Sequence, residues 1–320
     1  MPLRTGVWLF PSAPGPRMVE FIRHAEALGL DEVWLGDEGP ARDPLSVLAA
    51  AATRTRAIRL CVGITNPYVR HPAMTAVSMM TVHELSRGRA VLGLGVGGGL
   101  ALDPLGITPL HPLATVRQAL RTMRAVTRGE RDDGYWPPAT AMTAPDLPLY
   151  IGSRGPLINR LASRAADGAF VAGLPISQVP RVIGWARSVR EIAIALYVSA
   201  AFEPDDVERA RPQMVWAVVN SSDATVALTG RPRSAFQAAA QALHAGDLDP
   251  ARRLMTDDVL RHVLLWGEPR DVGARLARLA REHRPASIGL SLLQSDVPKA
   301  LEACAAAFGA MRQDLRSQPV

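Results

Sequence analysis

Four short stretches hold the residue types that could do chemistry, and each follows an apolar run. "DEVWLGDE" ends in Asp37 and Glu38. Adjacent carboxyls at a strand end can act as general acid or base, because partial desolvation raises a carboxyl pKa toward neutrality. The same pair could instead cap a loop or pair with Arg42. "IGSRGPLINRLASRAADG" (151–168) places Ser153, Arg154 and Gly155 ahead of Pro156 in a helix first turn. A hydroxyl, a guanidinium and free N–H groups at the positive end of a helix dipole make an anion site of the phosphate type. The plainer alternative has Ser153 capping the helix and Arg154 in solvent.

"GLGVGG" (93–98) contributes Gly95, Val96, Gly97 and Gly98 and fits G-x-G-x-x-G. A dinucleotide fingerprint also needs a helix directly after it and an acid about 20 positions on. Pro104, Pro109 and Pro112 follow instead, and no acid lies between Asp103 and Glu130. These glycines are read as backbone that a planar ring or a phosphate can approach closely. The fourth stretch, "RLCVGITNPYVRHP" (59–72), breaks an apolar strand into a polar elbow at Gly63, Ile64, Thr65 and Asn66, with Pro67 directing the exit.

Other chemistries lack their signatures. The seven histidines show no metal-ligand spacing, so no metal is expected. No G-x-S-x-G elbow supports a serine hydrolase. Cys61 and Cys304 match no redox or zinc pattern and read as free thiols. The formal net charge is +6, nearly all of it arginine, with Lys299 the sole lysine. The arginines are scattered rather than grouped into a basic patch, so no nucleic-acid partner is expected. No apolar run approaches a membrane span and no signal-peptide layout opens the chain, so a cytoplasmic protein acting on a small-molecule substrate is expected.

These stretches need a scaffold that gathers strand ends. Apolar runs at 6–10, 31–36, 58–65, 90–95, 147–153, 168–173, 192–202 and 286–293 alternate with helical periodicity. Asp43-Pro44 opens one helix and another runs from about Pro72 to Leu85. Continuous rather than alternating apolar strands indicate a parallel sheet covered on both faces. Eight of them predict a single domain over 1–320, an α/β fold of the (β/α)8 TIM-barrel type, with active residues at the strand C-termini. About eighty residues separate strands seven and eight, and they predict a helical insertion at about 203–285.

The stretches "GLDEVWLGDEGPARDPLSVLAA", "IRLCVGITNPYVRHPAMTA", "HELSRGRAVLGLGVGGGLALDPLGI", "LYIGSRGPLINRLASRAADGAFV" and "WGEPRDVGARLARLA", in this order, resemble the bacterial-luciferase-like superfamily of flavin and deazaflavin enzymes. Within it the methylenetetrahydromethanopterin reductases are most alike. The resemblance implies a barrel with an insertion before the last strand and a homodimer. It implies deazaflavin coenzyme F-420 as cofactor, with FMN the alternative. The cofactor phosphate would lie at the loop after strand five, at Ser153–Pro156. A bulged non-prolyl cis peptide at Gly63-Ile64 would prop the ring, with Thr65 and Asn66 facing it. Three positions depart from the family pattern. Glu38 stands where oxygenases use a histidine, Trp8 replaces an acid in the first strand, and Gly98-Gly99 replace one after the glycine loop. The expectation is a hydride-transferring oxidoreductase, a reductase rather than a monooxygenase, with Asp37 or Glu38 handling the proton. Its acceptor would be an imine, an iminium or an activated alkene. The alternatives are an FMN-dependent monooxygenase and a non-catalytic flavin-binding homologue.

Overall fold

Among the described residues, short apolar segments form nine parallel strands: β1 (Arg4–Leu9), β2 (Glu32–Leu35), β3 (Arg59–Thr65), β4 (Ala90–Leu94), β5 (Leu149–Gly152), β6 (Gly168–Ala172), β7 (Ala193–Ala201), β8 (Leu264–Trp266) and β9 (Ser287–Leu292). They come from a computed structural model that describes residues 2–39, 41–293 and 296–317. Strands β1 to β6 pair in sequence order, β6 pairs with β7, β7 with β9, and β9 with β1. The eight strands therefore close on themselves and leave no edge, as a (β/α)8 barrel does. All eight expected strands are present, each within about two residues of its predicted ends.

The helices begin and end where local chemistry dictates. Asp43 caps Pro44–Ala52 by accepting from the Ser46 amide at 3.0 Å. Helix Pro72–Leu85 starts at its proline, with the His71 ring accepting from the Ala73 amide at 3.3 Å. Helix Pro112–Arg128 ends on Gly129 at φ 70°, the left-handed stop that glycine adopts without a Cβ clash.

The region between β7 and β9 differs from the sequence reading in two ways. It contains helices Pro204–Gln213, Val215–Val219, Asp223–Ala227, Arg233–His244, Asp249–Leu254 and Asp257–Leu260, and then a strand the sequence reading lacks, β8. Ser199–Ala201 pair with Leu264–Trp266. Three strand residues at the tail of "MTDDVLRHVLLWG" are too few to break a helical pattern. Helix Pro269–His283 then returns to the outer layer and lies against Val297–Ser317, so the inserted part ends before it. The insertion has its own apolar cluster, in which Phe236, Met255, Leu260 and Leu264 are fully buried.

Strand parity fills the barrel interior with aromatic rings. Trp34 stacks on Phe170 at 4.5 Å between centroids, and Tyr197 meets Trp34 edge-on at 6.2 Å. Such pairs contribute about 0.5–1.5 kcal/mol beyond the area they bury. Tyr197 needs glycine opposite it, since a Cβ on Gly289 would lie 2.1 Å from its ring. At the N-terminal end, Glu32 is fully buried and accepts from Trp34 Nε1 at 2.9 Å and Tyr197 Oη at 2.9 Å. Arg4 and Arg59 neutralise it at 3.3 and 3.1 Å. The lower barrel is thus a packed plug, which leaves the C-terminal rim as the place for a site.

Candidate active site

At the C-terminal rim, β3 does not continue regularly. Its register against β4 shifts between Val62 and Thr65, and the Gly63-Ile64 peptide is cis. Trp8 on β1 donates its indole N–H to the Gly63 carbonyl at 2.5 Å. A Cβ on Gly63 would sit 2.4 Å from the Trp34 ring, so the plug itself demands glycine there. The Ile64 side chain turns across the barrel mouth. A Cβ on Gly95 would lie 2.2 Å from Ile64 Cδ1, and one on Gly152 would lie 2.9 Å from it. The glycines at the ends of β4 and β5 are thus the space Ile64 occupies.

Thr65 and Asn66 follow, both buried. The Thr65 carbonyl accepts from the Gly95 amide at 2.8 Å. Asn66 Oδ1 accepts from the amides of Tyr68 and Val69 at 3.0 and 3.2 Å and shapes the elbow. Among the described residues, two polar groups here remain without a hydrogen-bond partner: Thr65 Oγ1 and Asn66 Nδ2. Gly97, at φ 86°, passes so close that its Cβ would lie 3.1 Å from Asn66 Cβ. Val96 is half-buried against the core. Gly98 faces open space and precedes a single helical turn, Gly99–Leu102. That turn is a departure from the sequence reading, which has no helix directly after these glycines.

Asp37 and Glu38 leave β2 beside this elbow. Burial pushes the Asp37 carboxyl up, and the Thr65 hydroxyl and Arg70 act against it. The Thr65 hydroxyl lies near that carboxyl without meeting hydrogen-bond geometry. Burial likewise pushes Glu38 up; Arg154 opposes the shift and Asp37 adds to it. Arg42 pairs with neither acid and donates to the Ser12 carbonyl at 2.6 Å. Arg70 bridges to Asp43 at 3.0 Å and so belongs to the helix entry.

The loop after β5 is held from below. Asn159 donates to the carbonyls of Ser153 at 2.9 Å and Gly155 at 2.8 Å. Ser153 Oγ accepts from the Gly155 amide at 3.2 Å, and the helix Pro156–Ala165 has no side-chain cap. Its first-turn N–H groups therefore point outward unclaimed by a cap. Arg154 turns away from solvent. Nη1 donates to the Trp216 carbonyl in the insertion at 3.3 Å, and Nη2 lies beside Gly173. Its guanidinium pKa is lowered by burial, with Glu38 acting in the opposite direction.

The structure thus brings Asp37, Glu38, Gly63–Asn66, Gly95–Gly98 and Ser153–Pro156 to one rim. It also adds roles the sequence reading lacked. Trp8 holds the elbow, and its inward parity on β1 was available as a signal. Asn159 lies one helical turn past Gly155, the spacing at which a side chain reaches back to a loop carbonyl. The Trp216 carbonyl had no sequence signal, because it is backbone brought in by the insertion.

Residues 2–283 match a family described as luciferase-like monooxygenase. A 5,10-methylenetetrahydromethanopterin reductase of Methanolobus tindarius is 30% identical, over 86% of this chain and 90% of that protein. An F420-dependent glucose-6-phosphate dehydrogenase of Beutenbergia cavernae is 27% identical, over 82% and 90%. Among solved structures, the coenzyme F420-dependent tetrahydromethanopterin reductase of Methanopyrus kandleri superposes with a TM-score of 0.81 at 24% identity, covering 95% of this chain and 98% of that one. Model, relatives and barrel agree, and the chain belongs to the luciferase-like family.

Proposed function

We propose that this protein is a deazaflavin (coenzyme F-420)-dependent oxidoreductase that moves a hydride to or from a small organic substrate. The observation that carries the reading is the pair of unpartnered polar groups, Thr65 Oγ1 and Asn66 Nδ2, buried beside a glycine-lined floor. Buried polar atoms without partners are uncommon, and a ligand with a polar edge satisfies them. A flat ring with such an edge fits above Ile64, and an anionic tail fits the uncapped helix N-terminus at Gly155–Pro156. The names of the relatives, F420-dependent enzymes among them, point the same way.

The cofactor supplies hydride chemistry when bound; the protein supplies position and electrostatics. Ile64 gives the ring an apolar rest. Thr65 and Asn66 orient its edge. Asp37 and Glu38, held toward the protonated form by burial, can keep a proton at the rim and deliver it to the substrate. The acceptor is of the imine, iminium or activated-alkene type. Glu38 in place of the oxygenase histidine supports reductase over monooxygenase. The active form is proposed to be a cytoplasmic homodimer.

Absorbance titration with deazaflavin and with FMN tests this. Saturable deazaflavin binding, weakened in Asn66→Ala, is expected. Stoichiometric FMN binding with deazaflavin ignored would overturn the reading.

A further inference from the structure

The two halves of the barrel mouth differ in chemistry. The half from β2 to β5 holds the acids, the elbow and the glycines. The other half is built by β6, β7, β9 and β1. Strand parity turns Tyr197 and Gly289 inward, where they meet, so Ser199 and Ser291, two residues further along β7 and β9, face the same interior. The two serines are register partners, and Ser291 is also the register partner of Trp8. Ser291 is buried and Ser199 half-buried. Among the described residues neither hydroxyl has a hydrogen-bond partner. Trp8 offers only its ring, since its N–H is committed to Gly63. Ala172 ends β6 beside the same aromatic plug. None of these four side chains carries a charge.

We infer that Ser199 and Ser291 form a hydroxyl pair that binds the carbonyl oxygen of an uncharged acceptor. This assignment rests on the proposal that the mouth is a hydride-transfer site. Neighbouring strands lie about 4.8 Å apart, so two hydroxyls in register converge on one oxygen between them. A carbonyl oxygen has two lone pairs, and each hydroxyl can donate one hydrogen bond. Among the described residues these four side chains offer a cationic iminium no counter-charge, and burying an unpaired charge is costly. Of the acceptor types above, the pair therefore selects an activated alkene conjugated to a carbonyl.

Saturation-transfer NMR with cyclohex-2-enone and with N-methylpyridinium tests this. Both probes are added to the protein saturated with oxidised deazaflavin and to the cofactor-free protein. The enone is expected to bind and the cation not. Ser199→Ala and Ser291→Ala should each weaken enone binding by about 3- to 10-fold, the worth of one hydrogen bond. Deazaflavin affinity and the thermal midpoint should stay unchanged. Enone binding that is absent from the wild type, or equal in the wild type and both variants, overturns the assignment. So does preference for the cation. If deazaflavin fails to bind while enone binding still depends on the serines, the functional reading falls and this assignment stands.

Discussion

Gly152→Ala places a methyl group into the space that Ile64 fills. The added Cβ would lie 2.9 Å from Ile64 Cδ1 and 3.0 Å from Ile64 Cγ2, and its next neighbour, the Phe170 carbonyl, is at an ordinary 3.4 Å. Every close contact is thus with one side chain. Overpacking of this kind costs about 1–3 kcal/mol. Ile64→Ala alone loses part of an isoleucine's burial, about 1–2 kcal/mol for a half-exposed side chain. In the double variant the alanine methyl occupies vacated room, so the two losses should not add. A coupling of about 1–2 kcal/mol in the favourable direction is expected. Urea unfolding of the wild type, both single variants and the double variant measures it, and deazaflavin titration runs alongside. Gly152→Ala should also weaken deazaflavin, because Ile64 is driven up into the mouth. Strict additivity, within about 0.5 kcal/mol, would refute the placement of Ile64 across Gly152.

Trp8→Phe keeps an aromatic ring, though a smaller one, and removes the N–H donor to the Gly63 carbonyl; a loss of about 1–2 kcal/mol by urea unfolding is expected, with weaker deazaflavin binding. Asn159→Ala releases the Ser153 and Gly155 carbonyls. It should lower affinity for deazaflavin about tenfold while leaving the ring fragment that lacks the phosphate tail unaffected. Glu38 is held above its ordinary pKa by burial, so the folded state binds its proton more tightly than the unfolded chain does. Its contribution is therefore most favourable at acid pH and is lost as pH rises from the ordinary carboxyl range through the raised value. Glu38→Gln should accordingly gain thermal stability over the wild type at neutral pH, and the difference should shrink toward ~pH 4. An equal difference at all pH values would count against a shifted Glu38. Glu32→Gln strips the counter-charge from Arg4 and Arg59 in the barrel plug. A loss of about 3–5 kcal/mol is expected in the same unfolding assay, far more than Glu38→Gln can produce.

Strand and helix order, the closed barrel and the rim residues were legible in the sequence because each rests on local chemistry. Continuous apolar runs need cover on both faces, prolines and Asp43 open helices, and parallel strand ends converge on one side of a barrel. The elbow at Gly63–Asn66 was legible for a similar reason, since small and polar residues cannot extend an apolar strand. The partners of these residues were not legible. That Gly95 and Gly152 exist for Ile64, that Trp8 is tied to Gly63, and that Arg154 reaches Trp216 rather than solvent all depend on residues far apart in the chain meeting at one level of the barrel. Strand β8 escaped because three residues carry too little periodicity to stand out from helical surroundings. Ser199 and Ser291 look alike in sequence to any serine in a strand. Their facing the mouth together follows from the register between β7 and β9, which closure of the barrel sets and no local pattern encodes.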